Sequence, residues 1–381
     1  MFVQKKVIID NKPHRFNNLQ KFLWHLHIDL PLLLGQILTL MLSLFILYSA
    51  SGQHADMLLR QIIRTGLAFC VMVCVAQIPP RLFAKSTIYL YIGGLILLIL
   101  VELVGDISKG AQRWLNLGFM RIQPSELFKV VMPLTIAAFL SRDDIPPRTS
   151  TVLWAFVIIL IPVGLILHQP DLGTAVLILV SGFLCVFVAG LSIWWLATGV
   201  IAGIAIIPIM WNYVLHDYQK QRVLTLLNPE SDPLGAGYHI IQSKIAIGSG
   251  GLYGKGWLNG SQSQLDFLPE SHTDFIFAVL AEETGLIGFL VLMALYTYLI
   301  SRCLYITLNA SSNFERILCA ALSFTFVFYI FVNIGMVSGI LPVVGVPLPL
   351  ISYGGTAMIT LSVCFGIIMS VQTHKRELSF K

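Results

Sequence analysis

The amino-acid sequence predicts an all-α polytopic membrane protein with about ten transmembrane helices and a large extracytoplasmic loop between spans 7 and 8. Hydrophobic residues make up 56% of the chain and charged residues only 11%, whereas soluble domains carry about 25% charged residues. A membrane-spanning helix needs about 20 apolar residues, and stretches close to that length recur along the chain. We place them at 31–50, 61–78, 86–105, 126–140, 152–167, 172–190, 192–215, 274–300, 315–337 and 353–372.

Three regions follow from this pattern. Residues 1–29 form a cytoplasmic N-terminal segment, which is polar and basic and lacks the apolar core of a cleavable signal peptide. Within it, residues 15–28 alternate apolar and basic groups at helical spacing, which predicts an interfacial helix. Residues 30–372 form the membrane domain, with an outer loop over 216–273, and residues 373–381 form a cytoplasmic tail.

The distribution of lysine and arginine predicts the orientation. An even number of spans leaves both termini on one side, together with the short loops around Arg81, Arg142 and Arg316. Because short loops rich in these residues stay inside, we expect both termini in the cytoplasm. The net charge of +5 lies mostly on this inner face, where it meets anionic lipid. It does not indicate a nucleic-acid partner.

The connection between spans three and four carries Arg113 and ends in a motif that is typical of a helix start. Ser125 can cap free N–H groups there, and Glu126 opposes the helix dipole. Glu126 and Lys129 are three residues apart and share a helix face. A cap with an ion pair explains these residues, but ionisable groups at a membrane helix end usually face a cavity or a partner.

Two further acids stand at predicted helix starts. Asp171 follows Pro170 at the start of span six, where a simple N-cap would explain it. Asp274 closes the outer loop at the start of span eight, where Ser271 and Asp274 fit a capping box. For both acids a structural role and a functional role stay open.

The predicted orientation brings these motifs to one membrane face. Spans four, six, eight and ten all enter from outside, so Glu126, Asp171, Asp274 and the Ser-Tyr-Gly-Gly motif at 352–355 stand at outer helix N-termini. Such N-termini attract anions through free N–H groups and the helix dipole. The sequence therefore predicts a site for an anionic substrate that is reached from the outer leaflet.

Several long motifs resemble one protein family. They are Ile107-Ser-Lys-Gly-Ala-Gln-Arg-Trp-Leu, Gln123-Pro-Ser-Glu, Gln169-Pro-Asp-Leu-Gly-Thr, the run 229–251, Leu268-Pro-Glu-Ser-His-Thr-Asp-Phe and Pro347-Leu-Pro-Leu-Ile-Ser-Tyr-Gly-Gly. Over residues 30–376 the chain is similar to the SEDS proteins (shape, elongation, division and sporulation). Its 341–350 stretch resembles the elongation branch of that family more than the division branch.

The resemblance implies a peptidoglycan glycosyltransferase that polymerises lipid II at the outer face of the bacterial inner membrane for cell-wall elongation and rod shape. It implies a class B penicillin-binding protein as partner within the elongation (rod) complex. It assigns the essential acid to Asp274, and it draws attention to Glu126, Lys129 and Asp171 as substrate-binding residues.

Such a transfer needs a carboxylate near the attacking hydroxyl, which as a general base contributes about 10²–10⁴-fold. It also needs positive charge at the departing pyrophosphate. The candidates for that charge are Arg113, Lys129, Arg222 and Lys244. No cofactor is firmly implied, but a divalent cation, Mg²⁺ or Mn²⁺, could bridge acidic residues and the pyrophosphate, with Asp266 as the candidate metal ligand.

Two other classes of protein stay open. A lipid II flippase or another transporter would also combine many spans with intramembrane acids and broken helices. A scaffold that recruits a transpeptidase would need no chemistry of its own. Most of the acids lie at predicted outer helix ends and not mid-span, and no inverted repeat is visible, which favours the enzyme.

Overall fold

A helix lies at the position of each predicted membrane span. In the computed structural model, residues 26–108, 111–116, 121–169, 171–214, 217–232, 235–265, 267–268 and 270–378 are described. The helices at the predicted spans are α1 Leu30–Ala50, α2 Ala55–Ala76, α3 Pro80–Val104, α4 Pro124–Leu140, α5 Thr149–His168, α6 Leu172–Val188, α7 Ile193–Ile209, α11 Ile276–Leu308, α12 Asn313–Val337 and α13 Gly355–Leu378.

Seven of these helices are long and apolar enough to cross a membrane: α1, α2, α3, α5, α11, α12 and α13. α6 is a shorter apolar helix of 17 residues. The chain is thus a helical membrane protein, while the count of about ten spans and the boundaries of the membrane domain stay predictions. Of the predicted interfacial helix at 15–28, only 26–28 are among the described residues, and they are not helical.

Polar residues at the helix ends explain where several helices begin. Asp29 caps α1 by accepting from the backbone N–H of Leu32 at 3.0 Å, and Arg302 of α11 pairs with the same carboxylate at 2.6 Å. Ser312 and Glu315 form a capping box at the start of α12. These local contacts satisfy N–H groups that the helix itself leaves unpaired.

α11 is broken near its start. Gly285 has a φ of 64°, and a Cβ there would lie 2.4 Å from the backbone nitrogen of Gly254, so only glycine fits. The turn at 251–256 replaces the lost helical bonds, because Leu286 N–H donates to the Gly251 carbonyl at 3.0 Å. The predicted continuous span at 274–300 is therefore two helical segments, and the first one leads into the site described below.

A small antiparallel sheet departs from the all-α prediction. Its strands are β1 Asp106–Ser108, β2 Ala111–Asn116 and β3 Arg121–Ile122, in the order β1-β2-β3. The register pairs Ile107 with Gln112 and Leu115 with Ile122. Strands this short are held by cross-strand pairing and give only a weak sequence signal. The sheet lies between α3 and α4 in the chain and holds Arg113 on its central strand.

The polar stretch at 216–273 contains short helices in its described part. They are α8 Asp217–Leu227, a 3₁₀ turn at Pro229–Ser231, α9 Ala236–Gly250 and α10 Ser261–Gln264. α9 packs against α11 and α12. The centre of the bundle is formed by α4, α12 and the beginning of α11, whose residues are mostly buried, whereas α2 is mostly exposed on its outward face.

Candidate active site

A cavity of about 1060 Å³ opens where α4, α6 and α13 begin and where the chain enters α11. Polar and charged side chains from every one of these helix starts line it. The polar lining residues are Asp106, Arg113, Asn116, Gln123, Glu126, Lys129, Asp171, Thr174, Gln219, Arg222, Glu270, Thr273, Asp274, Tyr353 and Thr356. The four predicted motifs therefore share one cavity, as the pattern of alternate helices indicated.

Asp274 lies in a turn that precedes α11, and it does not cap the helix. α11 begins at Ile276 with Phe275 at the N-cap position and has no side-chain cap. The predicted capping box is wrong, because the Ser271 hydroxyl donates to the Ala50 carbonyl at 3.0 Å instead. The partly exposed Asp274 lines the cavity beside Gly345, whose positive φ lets the backbone pass close to it.

Glu126 and Lys129 form an ion pair on the cavity wall. The Lys129 Nζ lies 2.5 Å from Glu126 Oε1, and it lies 5.4 Å from the ring centroid of Tyr329 on α12. Thr360 of α13 donates to the other Glu126 oxygen at 3.3 Å. Lys129 is buried with 7% of its surface exposed, so its charge depends on this pairing. Ser125 is a buried residue inside α4 and not its cap, since the N-cap residue is Gln123.

Asp171 is an N-cap and a cavity residue at the same time. One carboxylate oxygen accepts from Thr174 N–H at 3.2 Å, which confirms the structural interpretation. The other accepts from Gln123 Nε2 at 3.2 Å and lies 3.9 Å from Arg113 Nε. The carboxylate thus positions the Arg113 side chain, which is about one third exposed toward the cavity.

Of the other predicted basic and metal-binding residues that the structure describes, only one lines the cavity. Arg222 lines the cavity from α8 and is exposed. Lys244 is not among the lining residues. Its side chain lies against Gly339, where an added Cβ would be 2.3 Å from the Lys244 Cε. Asp266 lies outside the described residues. Among the residues that are described, no three histidine, cysteine or acidic side chains group so as to hold a metal ion, and the divalent cation stays a prediction.

A histidine lies next to the turn that carries Asp274. His239 of α9 stacks on Phe275 with ring centroids 5.6 Å apart. Burial lowers the pKa of His239 below its usual value, although the nearby carboxylates of Glu270 and Asp232 act in the opposite direction. A neutral imidazole at neutral pH therefore adds no positive charge to that of Arg113, Lys129 and Arg222.

Sequence analysis missed cavity residues that only the packing brings there. Asp106 and Trp114 reach the cavity through the small sheet, and Gln219 reaches it from α8. Asn333, which does not line the cavity, was missed as well, although an amide in the middle of an apolar span is a signal, because a buried polar group needs partners.

Comparison with known proteins identifies the family. The model of the cell cycle protein family of FtsW, RodA and SpoVE matches residues 21–377. The chain belongs to this family. The resemblance to the SEDS proteins is thereby confirmed over nearly the whole chain.

Individual relatives within the FtsW/RodA/SpoVE family are similar over nearly their full length. The peptidoglycan glycosyltransferase MrdB of Escherichia coli strain K12 is 54% identical over 361 residues, which cover 94% of this chain and 98% of the relative. A probable peptidoglycan glycosyltransferase FtsW of Pseudoalteromonas translucida is 35% identical over 90% of this chain and 89% of its own.

Solved structures of the family share the fold. The rod shape determining protein RodA of Thermus thermophilus matches with a TM-score of 0.68 and 30% identity, covering 90% of this chain and 96% of its own. A chain from a peptidoglycan synthase complex that coordinates polymerization and crosslinking matches with a TM-score of 0.78 and 33% identity, covering 91% and 98%.

Proposed function

We propose that this membrane protein is a peptidoglycan glycosyltransferase that polymerises lipid II into glycan strands for cell-wall elongation and rod shape. The observation that carries the proposal is the cavity, which holds Asp274 together with the cationic groups of Arg113, Lys129 and Arg222. The 54% identity to a peptidoglycan glycosyltransferase over nearly the whole chain supports it.

In the proposed reaction, the 4-hydroxyl of a GlcNAc residue on one lipid-linked saccharide attacks the anomeric carbon of another. The Asp274 carboxylate takes the hydroxyl proton as the new C–O bond forms with inversion. The bond from the anomeric carbon to the pyrophosphate oxygen breaks, and lipid pyrophosphate leaves. Arg113, Lys129 and Arg222 stabilise the charge on that leaving group.

The three cationic residues differ in their partners and exposure, and we assign them different roles. Lys129 already carries Glu126 as a partner, so it contributes a hydrogen-bonded fixed charge deep in the cavity. Arg113 and Arg222 lie on the more exposed β2 and α8. Because a guanidinium binds phosphate oxygens in a bidentate manner, these two arginines fit the phosphate groups at the cavity mouth, with Asp171 orienting Arg113.

We place the protein in the bacterial inner membrane as a multi-pass protein, in an elongation complex with a class B penicillin-binding protein. The similarity to a chain of a synthase complex that coordinates polymerization and crosslinking supports this partner, because a transpeptidase supplies the crosslinking chemistry. The cavity would then face the outer leaflet, where lipid-linked substrate and nascent strand meet.

The orientation can be tested with reporter fusions. The basic-residue distribution predicts that a reporter fused after Lys381 lies in the cytoplasm and that one inserted within 250–256 lies outside. A reporter that functions only in the cytoplasm should therefore be active at the first position, and one that functions only outside should be active at the second. Enzyme reporters specific for each compartment measure this directly. Activity of a periplasm-only reporter at Lys381 would overturn the orientation.

The activity itself can be tested on the full-length chain, co-purified with its penicillin-binding partner. With fluorescent lipid II and the transpeptidase blocked by a β-lactam, we expect uncrosslinked glycan strands on gels. Transfer of lipid II across vesicle membranes without polymer would support the flippase instead. If polymer forms only when the partner is present, and if the Asp274→Asn variant supports as much polymer as the unmodified chain, the result would support a scaffold.

A further inference from the structure

Three successive backbone carbonyls at Asp274 are each held by a donor from a distant part of the chain. Tyr353 N–H, Ser352 Oγ and Asn333 Nδ2 donate, at 2.9, 2.6 and 2.9 Å, to the carbonyls of His272, Thr273 and Asp274 respectively. The donors come from α12 and from the segment before α13. We call this set of three bonds the carbonyl clamp.

Each side-chain donor also ties the turn to the segment 346–348. The same Asn333 amide donates to the Val346 carbonyl at 2.7 Å, and Val346 lines the cavity. The Ser352 hydroxyl accepts from Leu348 N–H at 2.8 Å while it donates to Thr273. Both side chains are buried, with 0% of Asn333 and 5% of Ser352 exposed. The clamp therefore links the turn that carries Asp274 to the segment 346–348, whose Val346 lines the cavity.

The clamp is needed because α11 does not fix Asp274. In a regular helix the Asp274 carbonyl would accept from Ala278 N–H, but that group donates to the Phe275 carbonyl at 2.9 Å. Without Asn333 this part-buried carbonyl would lose its donor from α12, and folded proteins rarely leave such acceptors unpaired. Asn333 satisfies this carbonyl from another helix and thereby fixes the backbone from which the carboxylate projects.

We propose that Asn333 and Ser352 are positioning residues that hold the Asp274 carboxylate in its catalytic position. The inference rests on the proposed role of Asp274 as general base. Catalytic groups work only within about 0.5 Å of the productive geometry, and a displacement of about 1 Å costs about 10²-fold in rate. Neither side chain lines the cavity, so we expect the clamp to act on the rate of transfer and not on substrate binding.

The test compares buried hydrogen bonds that are chemically alike but differently placed. Ser352→Ala and Asn333→Leu remove clamp donors. The matched control is Ser243→Ala, because Ser243 is also buried and its hydroxyl donates to the Val337 carbonyl at 2.8 Å, which is not part of the Asp274 turn. The full-length chain is assayed with its partner for thermal unfolding and for kcat and KM with lipid II.

We expect kcat to fall about 10-fold for Ser352→Ala and about 10²-fold for Asn333→Leu, with KM within about twofold of the unmodified protein. Ser243→Ala should lower the unfolding temperature as much as Ser352→Ala and leave kcat unchanged. Equal kcat losses in Ser243→Ala and Ser352→Ala would overturn the clamp, since the effect would then be one of stability. A rise in KM without a fall in kcat would also overturn it.

Asp274→Asn, assayed beside these variants, separates the two hypotheses. An inactive Asp274→Asn together with normal kcat in both clamp variants removes only the clamp inference. An active Asp274→Asn removes the proposed general base, and the clamp with it, whatever the clamp variants do. Should Asn333→Leu not accumulate in the membrane, Ser352→Ala against Ser243→Ala decides the question alone.

Discussion

Asp274→Asn is expected to abolish glycan polymerisation while the protein remains folded in the membrane. The amide is nearly isosteric with the carboxylate, but it cannot accept the hydroxyl proton, and loss of a general base costs about 10²–10⁴-fold. Stability should change little, because Asp274 does not cap α11 and the backbone of its turn is held by other residues.

The measurement is lipid II polymerisation by variants that match the unmodified protein in expression, membrane insertion and partner binding. Asp232→Asn is the matched control, because it makes the same acid-to-amide change on a residue that does not line the cavity. Glu270→Gln should be less severe than Asp274→Asn, although Glu270 is a lining residue, because it faces the Thr273 hydroxyl at 2.7 Å. Substantial polymer from Asp274→Asn would move the catalytic role toward Asp171 or Glu126.

Lys129→Met is expected to lose both activity and stability. The change leaves the partly buried Glu126 without its partner, and breaking a buried ion pair costs about 3–5 kcal/mol. It also removes a fixed positive charge from the cavity, and loss of one stabilising donor costs about 10²–10³-fold in rate. The losses are measured as the unfolding temperature and as kcat with lipid II.

The double variant Glu126→Gln with Lys129→Met separates these two effects. Without either charge, the pair leaves no uncompensated ion, so stability should recover most of the loss. Polymerisation should stay low, because the cation is still missing. The single variant Glu126→Gln leaves the buried Lys129 without its carboxylate partner, so both stability and activity should fall in this variant as well. Recovery of full activity in the double variant would show that Lys129 serves only to neutralise Glu126.

Much of the architecture could be predicted from the sequence, because membrane insertion is read from local hydropathy. Each apolar stretch is a helix in the structure, and the polar motifs at Glu126, Asp171 and Asp274 stand at or just before helix starts. Periodicity along one segment is enough for such predictions. The long motifs likewise indicated the family, whose model matches residues 21–377.

Local sequence patterns gave wrong predictions where the role of a residue depends on a contact with a distant part of the chain. Ser271 and Asp274 have the spacing of a capping box, yet Ser271 donates to Ala50 of α1, and the helix begins after Asp274. Lys244 is a basic residue in the polar stretch, but α9 packs it against Gly339. In neither case does the residue spacing contain information about the partner.

The sequence by itself determined the class of protein, the helices and the identity of the acids and bases at their ends, since each depends on residues close together in the chain. Only the tertiary structure decided which of them share the cavity, which bond they make there and how Asp274 is held. Asn333 is 59 residues from Asp274, and their hydrogen bond exists only because α12 packs beside the entry to α11. Such contacts are set by the packing of whole helices, which no single segment encodes.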